Sequence, residues 1–191
     1  MKIALFVEGP SDKVALPILV KRILGERTSV ILNDFHGRGN LLNVKKVCAV
    51  AQFLLQQSPD VSKIMVCVDS ECTPGDQTER EIREIEKSVN ARLQHRCSVH
   101  YIAVIYALEG WLLTDPDAIT RYLGPRAKVK IPNRAASNCK PKEVMKRIFR
   151  KTGKGYLAKR DAPRIAEKID IDKIANWNSS FARFREQVAD P

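Results

Sequence analysis

Along the first hundred positions, apolar residues fall into short unbroken runs separated by longer stretches at helical spacing. Residues 3–7 and 63–68 are continuous and partly β-branched, the pattern of strands buried on both faces. Residues 28–33 and 98–106 read as two more strands. Residues 14–24, 41–57 and 77–94 carry apolar side chains at helical spacing, the last with one stripe of Ile82, Ile85, Val89 and Leu93 on a charged helix. Strand and helix alternate four times, which predicts an α/β fold with a mostly parallel four-stranded sheet and helices on both faces.

The pattern changes near Asp115-Pro116, which divides an α/β core at 1–115 from a basic, mainly helical extension at 116–191 packed on it. Pro125, Pro132 and Pro141 punctuate irregular basic structure over 121–142. Beyond it come a short basic helix at 142–151, another opened by residues 156–163, and a last one at 177–188. Ser179 or Ser180 is the expected cap of that last helix, and Phe181, Phe184 and Val188 its buried face.

Charge sharpens this division. The chain of 191 residues carries a formal net charge of +11. Residues 121–191 hold 19 Lys and Arg against 7 Asp and Glu, while residues 1–120 hold 14 against 15. A basic module beside an acidic one suits an enzyme acting on polyanions, the bases neutralising phosphates and the acids holding metal. Solubility alone would also account for basic helices.

Composition narrows the class further. With 44% apolar and 29% charged residues the chain reads as a globular protein. No apolar run approaches the roughly 20 residues of a membrane helix. Glu8, Asp12 and Lys13 stand where a signal peptide would be apolar, so the expected compartment is the cytoplasm. Five scattered cysteines, Cys48, Cys67, Cys72, Cys97 and Cys139, argue against a disulfide framework. His95, Cys97 and His100 do not have the spacing of a zinc site.

Carboxylates recur where strands end. Glu8 follows the first strand, Gly9-Pro10-Ser11 turns the chain, and Ser11 or Asp12 can cap the next helix. Asp69 and Glu71, two residues apart after the third strand, suit chelation of a hard divalent cation. Glu109 begins an apolar helical turn after the fourth strand, where an unpaired charge needs a partner. Bland readings fit the same residues: Glu8 as a solvated strand end, Asp12 as a cap, Glu109 as a helix-start acid favoured by the macrodipole. After the second strand, residues 34–40 form a loop in which Gly37 and Gly39 let amides approach an anion and Arg38 offers a guanidinium.

Val7-Glu8-Gly9 with Asp12, and Val68-Asp69-Ser70-Glu71, resemble the motifs of Toprim domains, the metal-binding cores of topoisomerases, bacterial primases, recombination mediators and OLD-type nucleases. Residues 36–40, 108–113, 156–163 and 179–181 further resemble small stand-alone bacterial Toprim-like proteins of mostly unassigned function. The resemblance implies a Toprim/Rossmann-like fold and a site of Glu8, Asp12, Asp69, Glu71 and Glu109 around one or two Mg²⁺ or Mn²⁺. Within it Glu8 is the general acid or base, and Asp69 and Glu71 complete the catalytic set by holding metal. Glu71 departs from the usual Asp at its position. Arg38, Lys159 and Arg160 are candidates to hold the scissile phosphate.

The implied activity is metal-dependent cleavage of DNA or RNA, in an anti-phage role and with an ATPase partner if it follows its relatives. The alternative is a non-catalytic Toprim module that binds nucleic acid or a partner ATPase.

Overall fold

The computed structural model describes the chain except His95, Lys128, residues 130–138 and Pro191. Four parallel strands form one sheet in the order β2-β1-β3-β4, with β1 at Lys2–Val7, β2 at Ser29–Asp34, β3 at Lys63–Asp69 and β4 at Ser98–Val104. Leu5 lies between Leu32 and Met65, and Cys67 pairs with Ile102. β1 and β3 are buried along nearly their whole length because they are central and covered on both sides.

Side-chain alternation along the strands divides the interior into two layers. Ala4, Phe6, Ile64, Val66, Val68 and Tyr101 pack beneath α3 (Val44–Gln57) and α4 (Gly75–Leu93). Ile3, Leu5, Val7, Met65, Cys67 and Ile102 face α1 (Asp12–Leu24) and the helices after β4. Those helices are α5 (Leu108–Leu113), α6 (Pro116–Leu123), α7 (Pro141–Lys151), α8 (Ala158–Ala166), α9 (Ile171–Trp177) and α10 (Ser179–Ala189). Their apolar residues fill the same buried cluster as α1, so the basic extension completes one face of the sheet.

Several local expectations are corrected. The helix expected over 41–57 begins at Val44 as α3, because the Asn43 side chain accepts the Lys46 amide and starts it there, while Leu41 closes a short α2 (Arg38–Leu41) formed mostly from the stretch read as a loop. Ser11 stands at the α1 N-cap without a side-chain capping bond, and Asp12 is already helical. The last helix starts at Ser179 rather than Trp177, which ends α9, a helix the sequence pattern does not mark; Asn178, rather than Ser179 or Ser180, caps α10 by accepting the Phe181 amide. Ser180 is buried, and its Oγ accepts the Trp111 indole N–H at 2.7 Å. Within the basic stretch at 121–142, α6 continues to Leu123 and a short 3-10 turn spans Pro125–Ala127. Pro132 lies outside the described residues.

The cysteine reading also changes. Cys72 and Cys139 form a disulfide across 67 residues of sequence, with Cα atoms 4.8 Å apart. Neither the even-count rule nor spacing signals such a pair, because the fold alone brings the two residues together. Cys48, Cys67 and Cys97 are free and buried. The latter packs as core beside β4, while His95, its proposed neighbour in a zinc set, lies outside the described residues. No helix among the described residues is long and apolar enough to cross a membrane.

Candidate metal centre

Parallel strands end at a common edge, and here each end is followed closely by an acidic residue. Glu8 follows β1, Asp34 closes β2, Asp69 closes β3, and Glu109 lies in α5 just beyond β4. Asp12 opens α1 beside them. The edges are stitched together: the Asp69 amide donates to Glu8 Oε1 at 2.7 Å, the Glu71 amide to the Tyr106 carbonyl at 3.0 Å, and the Tyr106 amide to Ser70 Oγ at 2.7 Å. His36, Glu71 and Tyr106, each just past a strand on this edge, have φ of 55°, 50° and 65°. Left-handed backbone costs a non-glycine residue about 1 kcal/mol or more, and such strain gathers at functional edges.

Glu109 is placed by packing. Trp111, on the same short helix, stacks against Phe181 and Phe184 with ring centroids 5.1 Å from each. Gly110 lies so close to the Ile105 carbonyl that an added Cβ would stand 3.1 Å from it, so glycine lets α5 sit tight on the strand end. Glu109 is 0% exposed; its Oε1 accepts the Tyr156 hydroxyl at 3.2 Å, while its Oε2 is buried without a hydrogen-bond partner.

The electrostatics show which groups share one field. Burial pushes Glu8 up to about 7; the Asp69 amide opposes this, and the charges of Asp12 and Glu71 add to it. Asp12, 8% exposed, is pushed up to about 6, again chiefly by burial, with Lys142 opposing and Glu109 and Asp34 reinforcing. Burial raises Asp69 well above the carboxylate range, helped by Asp12 and Glu8. Glu109 is raised by burial against the pull of Lys142 and the Tyr156 hydroxyl. Glu8, Asp12, Asp69, Glu71 and Glu109 therefore meet at one edge, Glu71 on its exposed side.

Lys142 is the member that sequence reasoning missed. Burial alone would lower its pKa, but the charges of Glu109, Asp69, Asp12 and Glu8 outweigh that and raise it. It comes from the first turn of α7, where a cation opposes the helix dipole. That misplaced lysine, directly after Pro141, was the available signal. Tyr156 and Asp34 were also missed; the first lies in a quoted motif and the second ends a strand, as Asp69 does.

The basic candidates separate. Arg38 reaches Glu8 with its field but is paired with Glu81 at 2.6 Å. Arg160 grips Asp161 through Nε at 2.7 Å and a second nitrogen at 3.0 Å, so its guanidinium fastens the start of α8. Lys159 lines an open cavity of about 410 Å³ with Pro10, Ser11 and Leu157, next to the Glu8 turn.

Hard oxygen donors and a buried carboxylate oxygen lacking a partner fit a divalent cation of the Mg²⁺ or Mn²⁺ type. Among the described residues no three His, Cys, Asp or Glu side chains are already spaced as a ligand set. The carboxylates converge without closing, and the charge nearest to balancing them is that of Lys142.

An all-parallel α/β sheet with an acidic carboxyl edge thus defines the class. Residues 7–189 match the model of the family described as "Domain of unknown function (DUF4276)", and the chain belongs to that family. The chain is also similar to the C-terminal region of the Burkholderia pseudomallei OLD protein, at 13% identity over 98% of each chain with a TM-score of 0.44. A search of curated proteins finds no significant match.

Proposed function

We propose that the chain is a divalent-metal-dependent phosphodiesterase that cleaves DNA or RNA. The observation that carries this reading is the convergence of Glu8, Asp12, Asp69 and Glu109, desolvated and mutually repelling, at the carboxyl edge where α/β sheets hold ligands. The Toprim-like order of these acids in the sequence supports it.

In this reading Asp12, Asp69, Glu71 and Glu109 hold Mg²⁺ or Mn²⁺, with Glu8 at their margin. The bound cation supplies Lewis-acid polarisation of a phosphoryl oxygen and an acidified water. Glu8, with its carboxyl near neutrality, takes or returns a proton at Oε2, since Oε1 is held by the Asp69 amide. Lys142, whose charge acts on the same carboxylates, neutralises the phosphate in this reading. Lys159, at the rim, and the basic extension bind the polyanion backbone away from the scissile bond.

A second reading, a binding module without chemistry, is favoured by one observation: Lys142 already compensates the acids a metal would need. Incubating the protein with plasmid DNA and with total RNA in Mg²⁺ or Mn²⁺ separates the two. Cleavage by wild type that is lost in Glu8→Ala and Asp69→Ala supports hydrolysis. Binding without cleavage in any metal leaves the binding module; activity surviving both substitutions removes the site.

A further inference from the structure

One cavity adjoins the acid edge without being part of it. Its walls are the turn before α1, with Pro10 and Ser11, and the start of α8, from Leu157 to Arg160, and its volume is about 410 Å³. That lies within the range of about 300–1,000 Å³ of small-molecule sites. Each wall runs directly into the acid edge: Asp12 follows Ser11, and Tyr156, whose hydroxyl Glu109 accepts, precedes Leu157.

Pro10, Leu157 and Ala158 make the lining apolar, and Leu157 is 58% exposed. The two cations of the lining differ in kind. Arg160 is locked: its Nε donates to Asp161 Oδ1 at 2.7 Å, and one terminal nitrogen donates to Asp161 Oδ2 and to the Gly155 carbonyl, each at 3.0 Å. Asp161 is itself fixed, being buried and accepting the Leu157 amide at 2.6 Å and the Tyr122 hydroxyl at 2.7 Å. The fork that would grip a phosphate is thus spent on the protein, yet the Arg160 side chain stays 58% exposed, so what it offers a ligand is a held, planar guanidinium face. Lys159 is exposed and makes no hydrogen bond or ion pair among the described residues, so its charge is free. A flat cationic face beside apolar side chains suits a planar π system, and a free lysine next to it suits an anion. A nucleotide unites the two.

We propose that this cavity takes one unstacked nucleobase of a single-stranded or locally opened nucleic acid, with the base against Arg160, Leu157 and Pro10 and its phosphate on Lys159. The inference rests on the reading of nucleic acid as the substrate and names its form: a base must leave its stack to enter, so continuous duplex is the poorer ligand. It requires neither metal nor hydrolysis.

The test therefore measures binding in chelator. Fluorescence anisotropy with the full chain follows labelled oligothymidylate and oligouridylate, the duplex of each, and an abasic oligomer of the same length. Wild type should bind the better single strand about fivefold or more tighter than the abasic oligomer, and tighter than its duplex at the same salt. Leu157→Ala, and Arg160→Lys, which keeps a cation beside Asp161, should erase the advantage of the base-bearing strand while leaving abasic affinity unchanged. Lys159→Ala should weaken both strands alike. Equal binding of base-bearing and abasic strands by wild type overturns the proposal, as does a duplex bound as tightly as the single strand, or a base preference that survives both Leu157→Ala and Arg160→Lys. A cavity that instead joins two copies of the chain would give a dimer that Leu157→Ala splits, with no base preference. Base preference without cleavage in Mg²⁺ or Mn²⁺ would remove the hydrolytic reading alone; no binding of any oligomer would remove the nucleic-acid reading and this inference together.

Discussion

The backbone amide of Asp69 donates to Glu8 Oε1 at 2.7 Å, fastening the end of β3 to the residue that follows β1. This one bond holds two strand-end acids in register. It also leaves Oε2 as the Glu8 oxygen that this amide does not hold.

Glu8→Gln keeps an acceptor for the Asp69 amide and removes the ionisable group. Cleavage should fall about a hundredfold or more, with a melting temperature equal to or above wild type because a desolvated acid is lost. Glu8→Ala should lose activity equally and also destabilise, by about 1–3 kcal/mol for an unpaired buried amide. Parallel melts and cleavage assays check both.

Tyr156→Phe deletes the hydroxyl that Glu109 accepts. Urea denaturation should show a loss of about 1 kcal/mol, and Mn²⁺ should bind more weakly because Glu109 is no longer oriented. Unchanged Mn²⁺ affinity would mean that Glu109 takes no part in holding the ion.

Stability should depend on pH in a defined sense. Glu8 and Asp12 titrate near 7 and 6 in the folded chain against ordinary values of 4.5 and 3.8. The folded state therefore holds more protons than the unfolded state across that window, and these groups destabilise the metal-free fold as pH rises through it. His100, whose imidazole burial pushes down, acts in the opposite direction. The comparison is therefore wild type against Glu8→Gln, melted in chelator between pH 4.5 and 8. The wild type should lose more stability, and Mn²⁺ should restore more at pH 8 than at pH 5. Parallel curves for the two proteins would mean that Glu8 is not desolvated.

Asp115 joins the core to the extension. Fully buried, it accepts the Asp170 amide at 2.9 Å and Lys173 Nζ at 3.0 Å, and pairs with Arg121 at 3.3 Å. Asp115→Ala should cost about 3–5 kcal/mol, the loss expected when a buried charge pair is broken, and chemical denaturation should still show one transition because α6 to α10 share a core with the sheet.

The sheet was legible because continuous apolar runs with turn residues behind them have few other uses, and Glu8, Asp69 and Glu109 announced themselves by ending or following those runs. The C-terminal helices were harder. α9 gave no clear periodic signal, and its last residue, Trp177, reads as the start of the next helix with Ser179 or Ser180 as the cap, whereas Asn178 caps α10 and Ser180 is buried under Trp111. Lys142 and the Cys72–Cys139 pair were not legible for a common reason: each acts on residues about 30 to 130 positions away, and only the folded chain sets that proximity.

The central claim is that these acids hold a divalent cation. Titrating Mn²⁺ into wild type and Asp69→Asn, followed by water-proton relaxation, tests it most directly. Saturable binding of one or two ions per chain that is abolished or strongly weakened by Asp69→Asn is the predicted result. No saturable binding, or equal binding by the two proteins, would contradict it.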